Sequence, residues 1–488
     1  MKKLSLTALF VVLMSSAVYA QLGLSGEIAW ASPQSAATQG RFRSAADDFI
    51  RPDSYKSAGI GNWFAMTSFR TPTELSLGFG KTINELYFGL YYGGTGLANL
   101  TRVEYTETTV GWVDGKDKSG VRSYDPIPTL GTPKNRVALL VGVADMGFRL
   151  SFYSTHQSFS DEDFWDDSGT GTAYKSYESA KGILEPEIVW SLSKDLTSSG
   201  LRPWVAFKMS FYRDYSKSDI YGYDGTKIIN TNIVIGHSEN KFTPSFNIGL
   251  GGFTLYNQNS FKFSTDLEYG FSIDTYNNEY SYVDANNKYQ IGTIKGTNKT
   301  SGLEERGFNS HTITPYLLGA WSGEKLGLKF RLGLPLKFTS EEIVPMDFST
   351  DLNKANKGTL VKNGDETSTF TTNFTPKLEL AAQWWIVPKL ALNVGGAISV
   401  GLTSTTEEGK ENDSDGKKVP SSDYKSVTTT YGATSNQLTL GATFKPTDYL
   451  TFEAASGISN TSSNDVSVFQ SNSNGLLYFY NILVSLKF

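Results

Sequence analysis

Lys329, Arg331 and Lys337 stand on one phase of the stretch Leu326 to Phe338, and the other phase is Leu326, Leu328, Phe330, Leu332, Leu334, Leu336 and Phe338. In a strand, successive side chains point to opposite faces. Three cations therefore share a polar face while seven apolar side chains share the other. The same polar phase, followed through neighbouring stretches, takes Lys208, Lys262 and Lys377 together with the carboxylates Glu27, Asp266, Glu268, Glu379 and Glu453. A wall of mixed charge holds water and polarises it, and so orients passing solutes. The plainer expectation is that these charges pair with one another, at small cost and small gain. A second cluster, Asp161, Glu162, Asp163, Asp166 and Asp167, surrounds Phe164-Trp165. Read from its residues, it is a solvated charge run or a loose calcium site whose spacing departs from an EF-hand.

Other chemistry is hard to place. The 488-residue chain has no cysteine, which excludes disulfides and thiolate metal sites. His156, His237 and His311 lie far apart and give no metal-ligand spacing. No Gly-x-Ser-x-Gly element pairs a nucleophile with a base, and Gly249/Gly251 belong to strand alternation, with no helix after them to cradle a phosphate. We therefore expect no catalytic site, no cofactor and no metal. A formal charge of −5 gives no footprint for nucleic acid.

The elements that position the charges are strands. Phe261, Phe263, Leu267, Tyr269, Phe271 and Ile273 alternate with Lys262, Ser264, Asp266, Glu268 and Ser272; Leu390, Leu392, Val394, Ile398 and Val400 alternate with Ala391, Asn393, Gly395, Ala397 and Ser399. The apolar phase of these cores carries no charge. The strands run to about ten residues, longer than sandwich strands and suited to a tilted membrane crossing. Trp30, Trp190, Trp321 and Trp384 share the apolar phase near strand ends, where interfacial aromatics belong. Short turns near 81–84, 145–147, 193–200, 256–259, 322–324, 387–389 and 446–449 alternate with polar stretches near 32–70, 95–134, 156–180, 214–241, 274–309, 340–370, 403–435 and 459–474. That rhythm predicts sixteen antiparallel strands, the first at Leu22–Trp30 and the last at Leu476–Phe488, paired across a seam. The segment Asn62–Phe69 leaves 14 and 18 strands as alternatives. Pro186, Pro244, Pro315 and Pro376 are expected at strand starts on the outer rim, where a missing N–H costs little.

Met1-Lys2-Lys3, the apolar run Leu4–Met14 and the small residues up to Ala20 read as a secretory signal cut after Ala20, leaving 21–488 as one barrel with long outer loops. The apolar run is too short to span a bilayer, which needs ~20 such residues.

The export signal, the strand rhythm and the terminal Phe488 together resemble bacterial outer-membrane β-barrels, with the layout of general porins. The resemblance implies an all-β transmembrane up-and-down barrel in outer-membrane lipid, with Phe488 read by the barrel-assembly machinery. It implies passage of small polar solutes, a homotrimer, and a third loop folded inward, which casts Asp161, Glu162, Asp163, Asp166 and Asp167 as a constriction facing basic wall residues. The usual constriction-loop motif is absent. Two other readings compete. One is a substrate-selective transporter of the long-chain fatty-acid type, whose N-terminal plug has little room here if strand one starts at Leu22. The other is a surface antigen or adhesin acting through its loops.

Overall fold

The computed structural model describes residues 34, 37–38, 41–50, 63–70, 74–84, 86–95, 106–113, 116–124, 134–166, 172–192, 202–223, 228–283, 289–294, 303–348, 360–362, 366–410, 424–432, 435–459, 470–471 and 477–487. Sixteen antiparallel strands close into a barrel. They are β1 (Trp63–Arg70), β2 (Glu74–Ile83), β3 (Leu86–Thr95), β4 (Lys134–Val143), β5 (Met146–Asp166), β6 (Thr172–Leu192), β7 (Arg202–Tyr223), β8 (Ile228–Gln258), β9 (Phe261–Val283), β10 (Leu303–Ser322), β11 (Leu326–Gly333 and Leu336–Phe348), β12 (Glu366–Phe374 and Lys377–Val387), β13 (Leu390–Ser399 and Leu402–Lys410), β14 (Tyr424–Tyr431 and Ser435–Thr447), β15 (Leu450–Ser459) and β16 (Leu477–Lys487).

The strand count matches the sequence reading, but the first strand does not. β16 closes on β1, in a register running from Phe64↔Lys487 to Arg70↔Asn481. Leu22–Trp30 therefore has no place beside β16; it lies outside the described residues, as do the signal, Glu27 and Phe488. The polar stretch 32–70 is not an outer loop. It holds a segment inside the barrel and then β1, and only residues 71–73 connect β1 to β2. β1 falls on the segment Asn62–Phe69 on which the alternative strand counts rest; its pattern is weak because Ala65 and Thr67 dilute its outward phase.

The short turns are two-residue hairpins that pair Ile83 with Leu86, Val143 with Met146 and Gln258 with Phe261. Such turns need a left-handed residue. Asn84, Ala144 and Asn259 supply it, at φ 56°, 52° and 53°. Alanine is strained there by its Cβ. We expect Ala144→Gly to stabilise the barrel by about 1 kcal/mol, read as a higher urea midpoint for protein folded into vesicles; an unchanged or lower midpoint refutes it.

Outside and inside are inverted relative to a soluble core. Leu90, Leu380 and Ile482 are exposed by 55, 53 and 54 %, whereas Asn393, Thr443 and Glu453 are exposed by 1, 0 and 2 %. Along β12, exposed Leu378 and Leu380 alternate with partly buried Lys377, buried Glu379 and buried Ala381. The apolar phase thus forms the outer belt and the charged phase lines the lumen, the pattern of a membrane barrel.

Among the described residues, the polar stretches 156–180, 214–241, 274–309, 340–370 and 403–435 are largely strand. β5 and β6 pair out to Asp166↔Thr172, and β8 and β9 out to Val234↔Val283. Sequence periodicity loses them because the apolar phase stops at the top of the belt while backbone pairing continues. The prolines accordingly sit within the wall rather than on its rim. Pairing skips Glu185 and Pro186 between β6 and β7, and Thr243 and Pro244 between β8 and β9. From β10 to β14 the breaks line up: Leu334 N donates to Pro315 O (3.0 Å), Thr375 N to Pro335 O (3.2 Å), Val400 N to Pro376 O (3.2 Å) and Gly432 N to Gly401 O (2.7 Å). A line of bends thus separates the belt from a tall upper wall that runs from β5 to β14. Its β14 edge, Tyr424–Tyr431, is exposed throughout.

Candidate functional site

The lumen is crossed by a segment from the chain's N-terminal part, described at residues 34, 37–38 and 41–50. Its helix α1 (Ala45–Ile50) is started by a capping box. Ala46 N donates to Ser44 Oγ (3.2 Å) and Ser44 N to Asp47 Oδ2 (2.7 Å). Upstream, Phe42 N donates to Thr38 Oγ1 (3.1 Å) and Arg41 N to Thr38 O (2.9 Å), which makes a tight turn.

Three anchors hold the segment near the short-turn end of the barrel. At β14 and β15, Gln34 N donates to Glu453 Oε2 (3.0 Å), Thr443 Oγ1 to Gln34 Oε1 (2.9 Å) and Thr439 Oγ1 to Ala37 O (2.9 Å). Gln383 Nε2 to Asn393 Oδ1 (3.0 Å) and Asn393 Nδ2 to Thr443 Oγ1 (2.9 Å) extend this polar floor across β12 and β13. At β11 and β12, Lys329 Nζ donates to Arg41 O (2.9 Å) and lies 4.4 Å from the centre of the Phe42 ring, and Arg41 Nε stands 3.4 Å from Glu379 Oε2.

The third anchor is Phe49, fully buried against β1–β3. Its ring stacks on Phe64 at 4.9 Å and meets Tyr87 edge-on at 6.3 Å. Gly78 and Gly80 of β2 make the room, since a Cβ on either would sit 2.7 Å from a Phe49 ring carbon. Met66, Tyr91, Leu140 and Leu483 complete an apolar patch on this side of the lumen. β3 and β11 are eight strands apart in a wall of sixteen, so the segment reaches from one side to the other.

The expected wall charges are brought together on β7–β12, mostly in pairs. The Arg331 guanidinium carbon sits 3.6 Å from the centre of the Tyr316 ring, with Glu268 at 3.9 Å and Glu379 at 4.0 Å. Tyr316 Oη donates to Glu268 Oε2 (2.9 Å), and Lys377 pairs with Glu379 at 3.0 Å. Lys208 pairs with Glu185 at 3.2 Å. Asp266 serves the backbone instead, accepting from Gly252 N (2.6 Å) at a bulge where Gly252 has φ 82°. Lys262 is exposed near the short-turn end, and Lys337 is exposed just above the break in β11. Glu453 is a lumen residue as expected, and it holds the segment by accepting from Gln34 N.

The acidic run is strand rather than loop: Asp161 pairs with Tyr177, Glu162 with Ser176 and Asp166 with Thr172 on a long hairpin arm. Glu162 is exposed there. The side chains of Asp161, Asp163 and Asp166, and all of Asp167, lie outside the described residues.

Sequence reasoning missed Arg41, Phe42 and Phe49, and also Arg149, which donates to Glu187 (3.1 Å) on the β5–β6 wall. The Ser44-x-x-Asp47 spacing was the available signal for a helix start. Placing a short helix inside a barrel needs contacts some 400 residues away, and no local pattern carries those. With residues 34–50 in the lumen, the expectation of little room for an N-terminal plug is corrected.

No family model matches the chain, and no curated protein matches it. Among solved structures it is similar to the ferric-catecholate import receptor Fiu from E. coli K12, open form, at 10 % identity, 88 % of this chain, 82 % of that one and a TM-score of 0.33. It is similar to the P. putida toluene transporter TodX at 9 % identity, 94 % and 98 % coverage and a TM-score of 0.36. It is also similar to CdiB from Escherichia coli at 7 % identity, 87 % and 63 % coverage and a TM-score of 0.40.

Proposed function

We propose that this protein is an outer-membrane channel for small polar solutes, closed at rest by its own segment 34–50. The reading is carried by one observation: a charged lumen inside an apolar belt is crossed by a segment with anchors on opposite sides. A sixteen-stranded wall encloses an aqueous interior, and ionic side chains on β7–β12 keep it wet. Export, residence in outer-membrane lipid and handling by the barrel-assembly machinery belong to this reading; so does a homotrimer, for which the sequence layout is the sole support. Purified full-length protein in a planar bilayer should give a small or intermittent conductance. Silence in every insertion, with folding verified by resistance to heat on a gel, refutes conduction.

A second reading is favoured by the Phe49 slot. The apolar patch beneath that ring is unlike the charged wall opposite and suits an apolar solute, as expected of a fatty-acid-type transporter. Uptake of an apolar dye into protein-bearing vesicles without ionic conductance selects this reading over the first.

The acidic arm keeps its own test. Reversal of Asp161, Asp163, Asp166 and Asp167 to lysine should move the reversal potential in a salt gradient toward anions if the arm governs the mouth. An unchanged potential removes it from the pathway.

A further inference from the structure

The outer belt is not smooth. Between β9 and β14 it is hollowed by a groove of about 440 Å³. Two rows of outward residues build it, one running Gly319↔Phe330, Phe330↔Leu380, Leu380↔Gly396 and Gly396↔Leu438, the other Trp321↔Leu328, Leu328↔Ala382 and Ala382↔Val394. Gly319, Ala382 and Gly396 are the small floor; Phe330, Leu380, Val394 and Leu438 are among its walls. Every side chain that lines it is apolar except that of Lys329, whose ammonium points the other way, onto Arg41 O in the lumen. A dry hollow forfeits dispersion contacts unless something apolar fills it.

Just below the groove, the short-turn rim carries Lys325, Lys389 and Lys445 on β10–β14. Their backbones are tied to neighbouring strands: Trp385 N donates to Lys325 O (2.7 Å) and Lys445 N to Lys389 O (2.8 Å). Lys325 and Lys389 are exposed. Glu324 and Asp448 share the rim, but the turn at Lys389 carries no acid. In a strand rising ~3.3 Å per residue, Leu328 lies ~10 Å above Lys325 and Val394 ~16 Å above Lys389, the separation of a lipid phosphate from the body of its chain.

We propose that this groove holds an acyl chain of an anionic phospholipid whose phosphate rests at Lys325 and Lys389. The proposal depends on the belt facing lipid and not on conduction. A Cβ added at Gly396 meets only Gln437 O, at 3.4 Å, so Gly396→Phe can fill the hollow without breaking the wall. The test folds the full chain into vesicles of phosphatidylcholine with one-tenth phosphatidylglycerol, extracts it in mild detergent and weighs the intact complexes. Wild type should retain one phosphatidylglycerol, Gly396→Phe none, and Lys325→Glu/Lys389→Glu roughly thirtyfold less. Equal retention by all three, equal retention of both lipids, or a pair of barrels in place of a bound lipid overturns it. Loss of conductance with the lipid still bound would overturn the channel alone.

Discussion

On the proposed reading of a channel closed by segment 34–50, Arg41→Ala/Phe49→Ala should turn a mostly shut barrel into a mostly open one. Arg41 holds the segment to Glu379, and Phe49 is sunk into the slot between Gly78, Gly80, Phe64 and Tyr87. Truncating a fully buried phenylalanine costs ~3–5 kcal/mol. With 1.4 kcal/mol per tenfold, that moves the open-to-shut ratio by roughly two to three and a half decades before the ion pair is counted. The measurement is single-channel open probability, with antibiotic sensitivity of expressing cells as a check in the membrane. Gly80→Val attacks the same contact from the wall, since its Cβ would fall 2.7 Å from Phe49, and should act in the same direction. If both variants conduct as the wild type does, the segment does not govern the pore.

Leu90→Arg will destabilise the protein although Leu90 is 55 % exposed. It pairs with Phe79 and Leu139 in the outward phase of β2–β4, four residues above a short turn. For a soluble surface the change would be worth within about ±0.5 kcal/mol. In a lipid-facing belt it costs ~2–4 kcal/mol near the midplane and less toward the edges. Equilibrium urea unfolding from vesicles separates the two, and a change under about 1 kcal/mol would argue that the belt does not face lipid. Leu438→Arg, also half exposed, gives an independent site on β14.

Much of the wall was legible because lipid imposes one rule on every strand: no charge outside. That rule produces the alternation at Leu326–Phe338 and fixed both the strand number and the faces of Lys329, Arg331 and Glu379. It stops at the top of the belt, so the upper parts of β5–β14 read as loops though their backbones are paired. It also fails at β1, whose outward Ala65 and Thr67 are small and whose inward Phe64 and Met66 are apolar because they meet Phe49 and its surroundings instead of water. Arg41 and Phe49 were invisible for another reason. Their roles depend on a wall that most of the remaining chain must build. The charges were found, but what they hold was misjudged in part, since Glu453 and Lys329 serve the segment as much as the water.

The three anchors also differ in when they can exist. Phe49 meets Tyr87, 38 residues on, whereas Gln34 meets Glu453 and Thr443 across 419 and 409 residues, and Ala37 meets Thr439 across 402. Closing the longer loops costs about 2 kcal/mol more than closing the short one. They also need β14 and β15, among the last strands to be made. The segment can therefore settle on the first hairpins early but gains its final hold only when the wall is nearly complete. An unfinished barrel leaves Gln34, Ala37 and Arg41 open to protease and a finished one holds them against its wall, so protection at these residues reports that assembly has ended.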